Sequence, residues 1–231
     1  MVQRQLISAA LLGLCLAAPA NADELVYLTT EAGAERLIET DLNRDYFPLA
    51  SYLEYEKILT FCGPATVAAV ANSLGIPRPS PDRLYPWTLF TQDTLFNEAN
   101  QKLKSYAMVE HEGLTLAELD TFIENLGMAA EHRFADETSV DELREAIKTA
   151  LVDGNTRFVA NYSRKALPQE GDGHISPVAA YDEATDTVLI LDVAKYKYPP
   201  VWITVETLHA GMMMVDTGSN RSRGFVLVSA P

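Results

Sequence analysis

The hydrophobic period of this chain changes once, and that change limits the fold more than any other feature. Up to Gly154 the apolar residues recur at helical spacing, whereas from Arg157 onward they gather in short runs at 157–162, 175–181, 187–193, 201–204 and 224–229. These runs are rich in Val, Ile and Tyr and are bounded by Gly, Asp or Pro, so they read as strands, with Asp182-Glu-Ala-Thr-Asp186 as a hairpin loop between two of them. Helices first and strands later predict an α+β protein, an N-terminal helical part packed on a C-terminal antiparallel sheet.

The helix signals are local. Pro64 suits a first helical turn, Val67, Val70, Ala71 and Leu74 follow at helical spacing, and Gly75 supplies a stop, which places Cys62 at or just before a helix N-terminus. Thr115-Leu-Ala-Glu118 and Ser139-Val-Asp-Glu142 are capping-box patterns, opening helices that stop near Gly127 and Gly154. Pro77-Arg78-Pro79-Ser80-Pro81 reads as a loop. No repeat and no Ser/Gly-rich linker divides the 231 residues, and 48% hydrophobic residues suffice for one core. Lys and Arg number 18 against 32 Asp and Glu, a formal charge of −14, which argues against nucleic acid as a partner.

Residues 1–22 have the form of a cleaved signal peptide: Arg4, an apolar stretch from Leu6 to Ala18, then small residues at Ala20 and Ala22. The expected organisation is a signal peptide at 1–22 and a single domain at 23–231, periplasmic or secreted, with no membrane span in the mature chain. Leu14 before Cys15 does not suit lipidation. Removal of that segment leaves one cysteine, Cys62, which cannot close an internal disulfide and is either buried filler or a reactive thiol.

A helix N-terminus favours a thiolate, and a nucleophilic thiolate needs an imidazole oriented by a carboxylate or amide. Among His111, His132, His174 and His209, His174 opens a predicted strand, and Asp192 closes the next one eighteen positions later. Were the two strands a hairpin, both residues would fall at one end of the sheet. Cysteine on a helix, then histidine and aspartate on strands, is the order of papain-like enzymes; a structural histidine with a strand-end aspartate reads the same pattern without chemistry.

Phe61-Cys-Gly-Pro-Ala-Thr66, Phe90-Thr-Gln-Asp93, Gly173-His-Ile-Ser-Pro177, Asp192-Val-Ala-Lys-Tyr-Lys-Tyr-Pro-Pro200 and Arg223-Gly-Phe-Val226 resemble segments of the phytochelatin synthase catalytic domain, in order, from about Thr40 to the end. The resemblance is to the short bacterial form. It implies a papain-like fold and action on glutathione: Cys62 as nucleophile, His174 as base then acid, Asp192 as the orienter of its imidazole, and Asn161, Arg164, Gly173 and Arg223 at the substrate. Glycine leaves, and the γ-glutamylcysteinyl thioester passes to water or to a second glutathione. The family's oxyanion glutamine, six residues before the cysteine, is here Glu56, and an ionised carboxylate cannot donate a hydrogen bond.

No cofactor is expected and no metal ligand set is evident. Met212-Met-Met214 reads as core or interface, and His111-Glu112 lacks a second histidine at ligand spacing. Partners reduce to glutathione, free or as a metal–thiolate complex; a homodimer is compatible with the sequence. The alternative is a catalytically weak glutathione or metal–thiolate binding protein on the same scaffold.

Overall fold

The computed structural model describes residues 25–77, 79–80 and 83–231, so the expected signal peptide and positions 78, 81 and 82 of the proline loop lie outside the described residues. In chain order these residues form β1 (Val26–Tyr27), α1 (Glu31–Glu39), α2 (Tyr46–Tyr52), α3 (Cys62–Ser73), α4 (Glu98–Leu103), α5 (Tyr106–Glu112) and α6 (Leu116–Glu124). There follow β2 (Ala129–Phe134), α7 (Val140–Asp153), β3 (Thr156–Ser163), β4 (Gly173–Asp182), β5 (Thr187–Ile190), β6 (Val201–Thr204), α8 (Val205–Met213), β7 (Val215–Asp216), β8 (Arg221–Ser222) and β9 (Gly224–Ser229). The main sheet runs β1-β6-β5-β4-β3-β9-β2, antiparallel at every pairing; β7 and β8 form a separate ribbon. The α+β expectation holds.

Both capping boxes form, at Thr115–Glu118 and Ser139–Glu142, and each such cap typically contributes about 1 kcal/mol. Helix α7 ends at Gly154, whose φ of +73° is a left-handed cap that disfavours a side chain. Helix α3 has a different logic. Every residue from Cys62 to Asn72 is buried, so it is a core helix rather than an amphipathic one, and its small Ala residues allow close approach to β4. Thr66 Oγ1 donates to the Ile175 carbonyl at 3.0 Å and ties the two together.

The sheet is covered on both faces. One cluster joins α2, α3 and α6 to Val159, Ile175, Leu189 and Val226; the other joins α7 and α8 to Phe158, Ala160, Tyr162 and Phe225. Successive β3 residues therefore serve opposite cores, and a strand buried on both sides reads as a continuous apolar run.

The expected strands are found with shifted ends. Strand β5 stops at Ile190, so Asp192 lies just beyond it, not at its close. Strand β2 pairs with β9 at the sheet edge and carries no run of Val, Ile or Tyr to announce it. Within Met212-Met-Met214, Met212 is core and Met213 is exposed. Among the described residues no helix is long and apolar enough to cross a membrane.

Candidate active site

Cys62 is the first residue of α3, as the Pro64 signal predicts, and is 8% exposed. Strands β4 and β5 form the predicted hairpin, with Asp182 opposite Thr187, and the chain beyond it brings Asp192 back beside His174. His174 Nε2 donates to Asp192 Oδ1 at 2.9 Å, the tautomer that an acceptor-only carboxylate selects, which leaves Nδ1 with its lone pair. The thiol, a ring nitrogen of His174 and a carboxylate oxygen of Glu56 lie within 4.8 Å of one another. The spacing argument for a His174–Asp192 contact is met in the geometry.

Asp192 is fully buried and held from several sides. Oδ1 accepts from His174, from Arg164 Nη2 at 2.8 Å and from the Ala194 N–H at 2.8 Å, while the same Nη2 lies 2.6 Å from Oδ2. Burial pushes its carboxyl up, but the bond and charge of His174, followed by Arg164, outweigh burial and hold it below the ordinary value. Ser176 Oγ sits 2.9 Å from Nε2 and accepts from the Val193 N–H, joining the imidazole to the segment that follows β5. Tyr162 meets the imidazole edge-on at 5.8 Å between ring centres.

The electrostatics of the Cys62–His174 pair are set by burial. Burial pushes the Cys62 thiol up to about 12, with the Glu56 charge adding to it, against smaller opposing contributions from the backbone of Ile175 and Gly63 and from Arg164. Burial likewise lowers His174, against Asp192. Burial thus opposes the thiolate that the helix terminus favours, and it opposes the imidazolium as well.

Glu56 is not a solvated surface residue. It is 4% exposed, its N–H donates to the Val193 carbonyl at 2.9 Å, and the Tyr196 hydroxyl donates to Oε1 at 2.5 Å, while Oε2 has no hydrogen-bond partner. Desolvation raises its carboxyl, with Asp192 adding to the effect and Tyr196, Arg164 and Lys197 opposing it. Gln92 fixes the strand of chain that carries Glu56: it accepts from the Lys57 N–H at 3.1 Å and donates to the Tyr55 carbonyl at 3.0 Å.

A cavity of 470 Å3 opens beside Cys62 and His174, lined also by Asn161, Asp172, Gly173 and Arg223. Arg223 Nη1 donates to Asn161 Oδ1 at 3.4 Å, and Asn161 Nδ2 is buried without a partner. A Cβ at Gly173 would fall 2.6 Å from Arg223 Nη1, so glycine there makes room for the guanidinium. Arg164 departs from expectation. It is 3% exposed, it does not line the cavity, and its fork is spent on Asp192 and on Gln169 Oε1 at 2.5 Å. The structure brings Asn161, Gly173 and Arg223 together at the cavity and places Arg164 behind the imidazole as the counter-ion of Asp192. Ser176, Tyr196, Gln92 and Asp172 were given no role in the sequence; the first three sit inside the motif segments, which is the one signal that could have singled them out.

A buried cysteine heading a helix, an imidazole on a strand and a carboxylate behind it define a nucleophilic-thiol class of site. The particular family follows from comparison: the family profile described as phytochelatin synthase matches residues 19–225, and the chain belongs to that family. It is 32% identical over 188 residues to glutathione gamma-glutamylcysteinyltransferase 2 of Arabidopsis thaliana, covering 80% of this chain and 40% of that one. It is 32% identical over 197 residues to glutathione gamma-glutamylcysteinyltransferase 1 of Lotus japonicus, covering 84% and 38%. Against the glutathione gamma-glutamylcysteinyltransferase of Schizosaccharomyces pombe it is 30% identical over 216 residues, 93% of this chain and 49% of the relative. The chain thus spans at most about half the length of these curated relatives.

Proposed function

We propose that this protein cleaves glutathione at its Cys–Gly amide through a thioester on Cys62, with hydrolysis as the main outcome and transfer to a second glutathione as the lesser one. The observation that carries the reading is the meeting of Cys62 with the His174–Asp192 pair at the wall of a cavity that is also lined by Arg223 and by Asn161, whose Nδ2 is unpartnered. The relatives' names supply the substrate.

The cysteinyl carbonyl of glutathione sits over Cys62. The thiol proton passes to His174 Nδ1 as sulfur attacks the carbonyl carbon, and the resulting tetrahedral adduct collapses by breaking the C–N bond. The imidazolium returns its proton to the departing glycine amine, and water then attacks the thioester with His174 again as base. Asp192 stays ionised throughout and stabilises the imidazolium, with Arg164 as its own counter-ion. Arg223 and Asn161 receive the α-carboxylate of the glutamyl end, for which a guanidinium fork is suited. Glu56 stands where an oxyanion donor is needed and serves there as the protonated acid. On the form of residues 1–22, the mature chain works after export.

Product analysis and intact mass of the mature protein with glutathione, beside Cys62→Ala, test this directly. Free glycine and a γ-glutamylcysteinyl adduct that the variant lacks are the expected result, and the ratio of γ-glutamylcysteine to longer peptides sets hydrolysis against transfer. Neither glycine nor adduct would leave only a binding protein on this scaffold.

A further inference from the structure

Three ligand-type groups converge at the head of α3: Sγ of Cys62, a ring nitrogen of His174 and a carboxylate oxygen of Glu56, all within 4.8 Å of one another. Cys62 is 8% exposed, His174 4% and Glu56 4%. Glu56 Oε2 is buried without a hydrogen-bond partner, and Arg164, the nearby cation, is committed to Asp192. Two acidic side chains therefore share a dry site in which Arg164 and Lys197 act on Glu56 only by charge, neither hydrogen-bonded to it. An amide at position 56 would serve an oxyanion equally well and offer no anionic ligand; a carboxylate offers one. The imidazole is already set for coordination. Its Nε2–H is held by Asp192, so the second nitrogen presents its lone pair, the carboxylate–histidine–metal arrangement common at zinc centres.

We infer that Glu56, Cys62 and His174 form a binding site for one soft divalent cation, Zn2+ or Cd2+, which silences the protein by occupying its nucleophile. Thiolate, imidazole and carboxylate are three protein ligands of the kinds zinc accepts, and the fourth tetrahedral position faces the cavity, where water or an incoming thiolate completes the set. Ligand atoms around such an ion stand about 3.3–3.6 Å apart, so the side chains close inward by an ångström or so when it binds. The thiol proton and the proton of Glu56 are released to solvent, and the two positive charges meet two anionic ligands. Binding of the ion stands apart from the glutathione-cleaving reading; only the inhibitory consequence rests on it.

The test titrates the full mature chain, free of any affinity tag, with Cd2+ in the absence of glutathione. Thiolate-to-cadmium charge-transfer absorption is followed, and labelling of Cys62 by a small methanethiosulfonate reagent is scored by mass in parallel. Saturation near one ion per chain, protection of Cys62 from labelling, loss of the absorption in Cys62→Ser and at least about tenfold weaker binding in Glu56→Gln are expected. Equal affinity in Glu56→Gln would reduce the site to a lone thiol and overturn the inference, as would absorption that survives Cys62→Ser or no binding at all. Protection of the unaltered protein needs no variant to fold, and neither readout uses substrate, so failure of glutathione cleavage leaves this result readable.

Discussion

Strand β3 is flanked by two buried arginine–aspartate pairs that behave in opposite ways. At its start Arg157, 4% exposed, meets Asp45, 2% exposed, through one contact of 3.1 Å; just past its end Arg164 and Asp192, 3% and 0% exposed, meet through contacts of 2.6 and 2.8 Å. Burial is nearly the same, yet Asp45 is raised to about 6 by desolvation that Arg157 only partly offsets, whereas Asp192 is held below its ordinary value. The difference is the number of donors. Oδ2 lacks a hydrogen-bond partner in both carboxylates, but Asp45 Oδ1 accepts from an Arg157 whose fork is shared among Gly154, Thr156 and Ser73, while Asp192 Oδ1 collects His174, Arg164 and a backbone N–H. A buried charge is kept by the donors that converge on it, and an arginine whose bonds go elsewhere contributes little.

The largest way to break this contrast is Asp192→Asn. It leaves the shape of the site but removes the charge that fixes the His174 tautomer and balances Arg164, so glycine release should fall on the order of 10³–10⁴-fold, and the stranded guanidinium should cost about 3–5 kcal/mol of stability. Unchanged release in a glycine assay would remove Asp192 from the mechanism. Next come the arginines. Arg164→Met strands a carboxylate that burial disfavours, and should cost about 3–5 kcal/mol in urea unfolding together with loss of glycine release. Arg157→Met leaves Asp45, which takes up a proton instead, so its cost should be smaller at pH 5 than at pH 8 and glycine release should survive. Equal costs at the two pH values would erase the distinction between the pairs.

These expectations also mark where the sequence is informative. The Cys62–His174–Asp192 geometry is legible because each part is local: a helix start before Pro64, and a hairpin whose loop at 182–186 fixes which ends meet. Arg164 is not legible, since what it does is decided by Asp192, 28 positions away, and not by its own neighbours. Tyr196 and Glu56 are 140 positions apart, and no period or spacing relates them. Strand β2 escapes because an edge strand half open to solvent carries Glu131, His132 and Arg133 where a central strand carries Val and Ile.

A smaller effect reads the weaker pair through its proton. Because folding raises Asp45 from 3.8 to about 6, the native state binds this proton more tightly than the unfolded chain does. The sign follows: its contribution to stability is fully present below about pH 4, is lost as pH rises from 4 to 6 and is flat above, to the extent of about 3 kcal/mol at most. Glu118 and Asp172, held low by their partners, slope the other way, so the difference between wild type and Asp45→Asn is the quantity to follow. Asp45→Asn should gain on wild type across pH 4–6 and hold a constant advantage above it in thermal melts. A difference that shrinks with rising pH would mean that Arg157 keeps Asp45 ionised after all.

Glu56 tests whether the same rule operates inside the site. Like Asp45 it is a buried carboxylate with one supported oxygen and one orphan, and like Asp45 it is raised by desolvation. Glu56→Gln keeps an oxygen for the Tyr196 hydroxyl and replaces the orphan with an N–H donor beside Cys62. Two gains should appear together. Stability rises by about 1 kcal/mol, a shift of roughly 2–4 °C in melting temperature for a chain of this size. Glycine release rises as well, by well under the 10²–10³-fold that a wholly missing oxyanion donor costs, about three- to tenfold, since on the proposed reading the Glu56 acid is itself a donor. A rise in stability with a fall in glycine release would separate the two buried carboxylates. Asp45 would remain an undersupplied structural charge, while Glu56 would be shown to act on the substrate through its acidity, which an amide cannot reproduce.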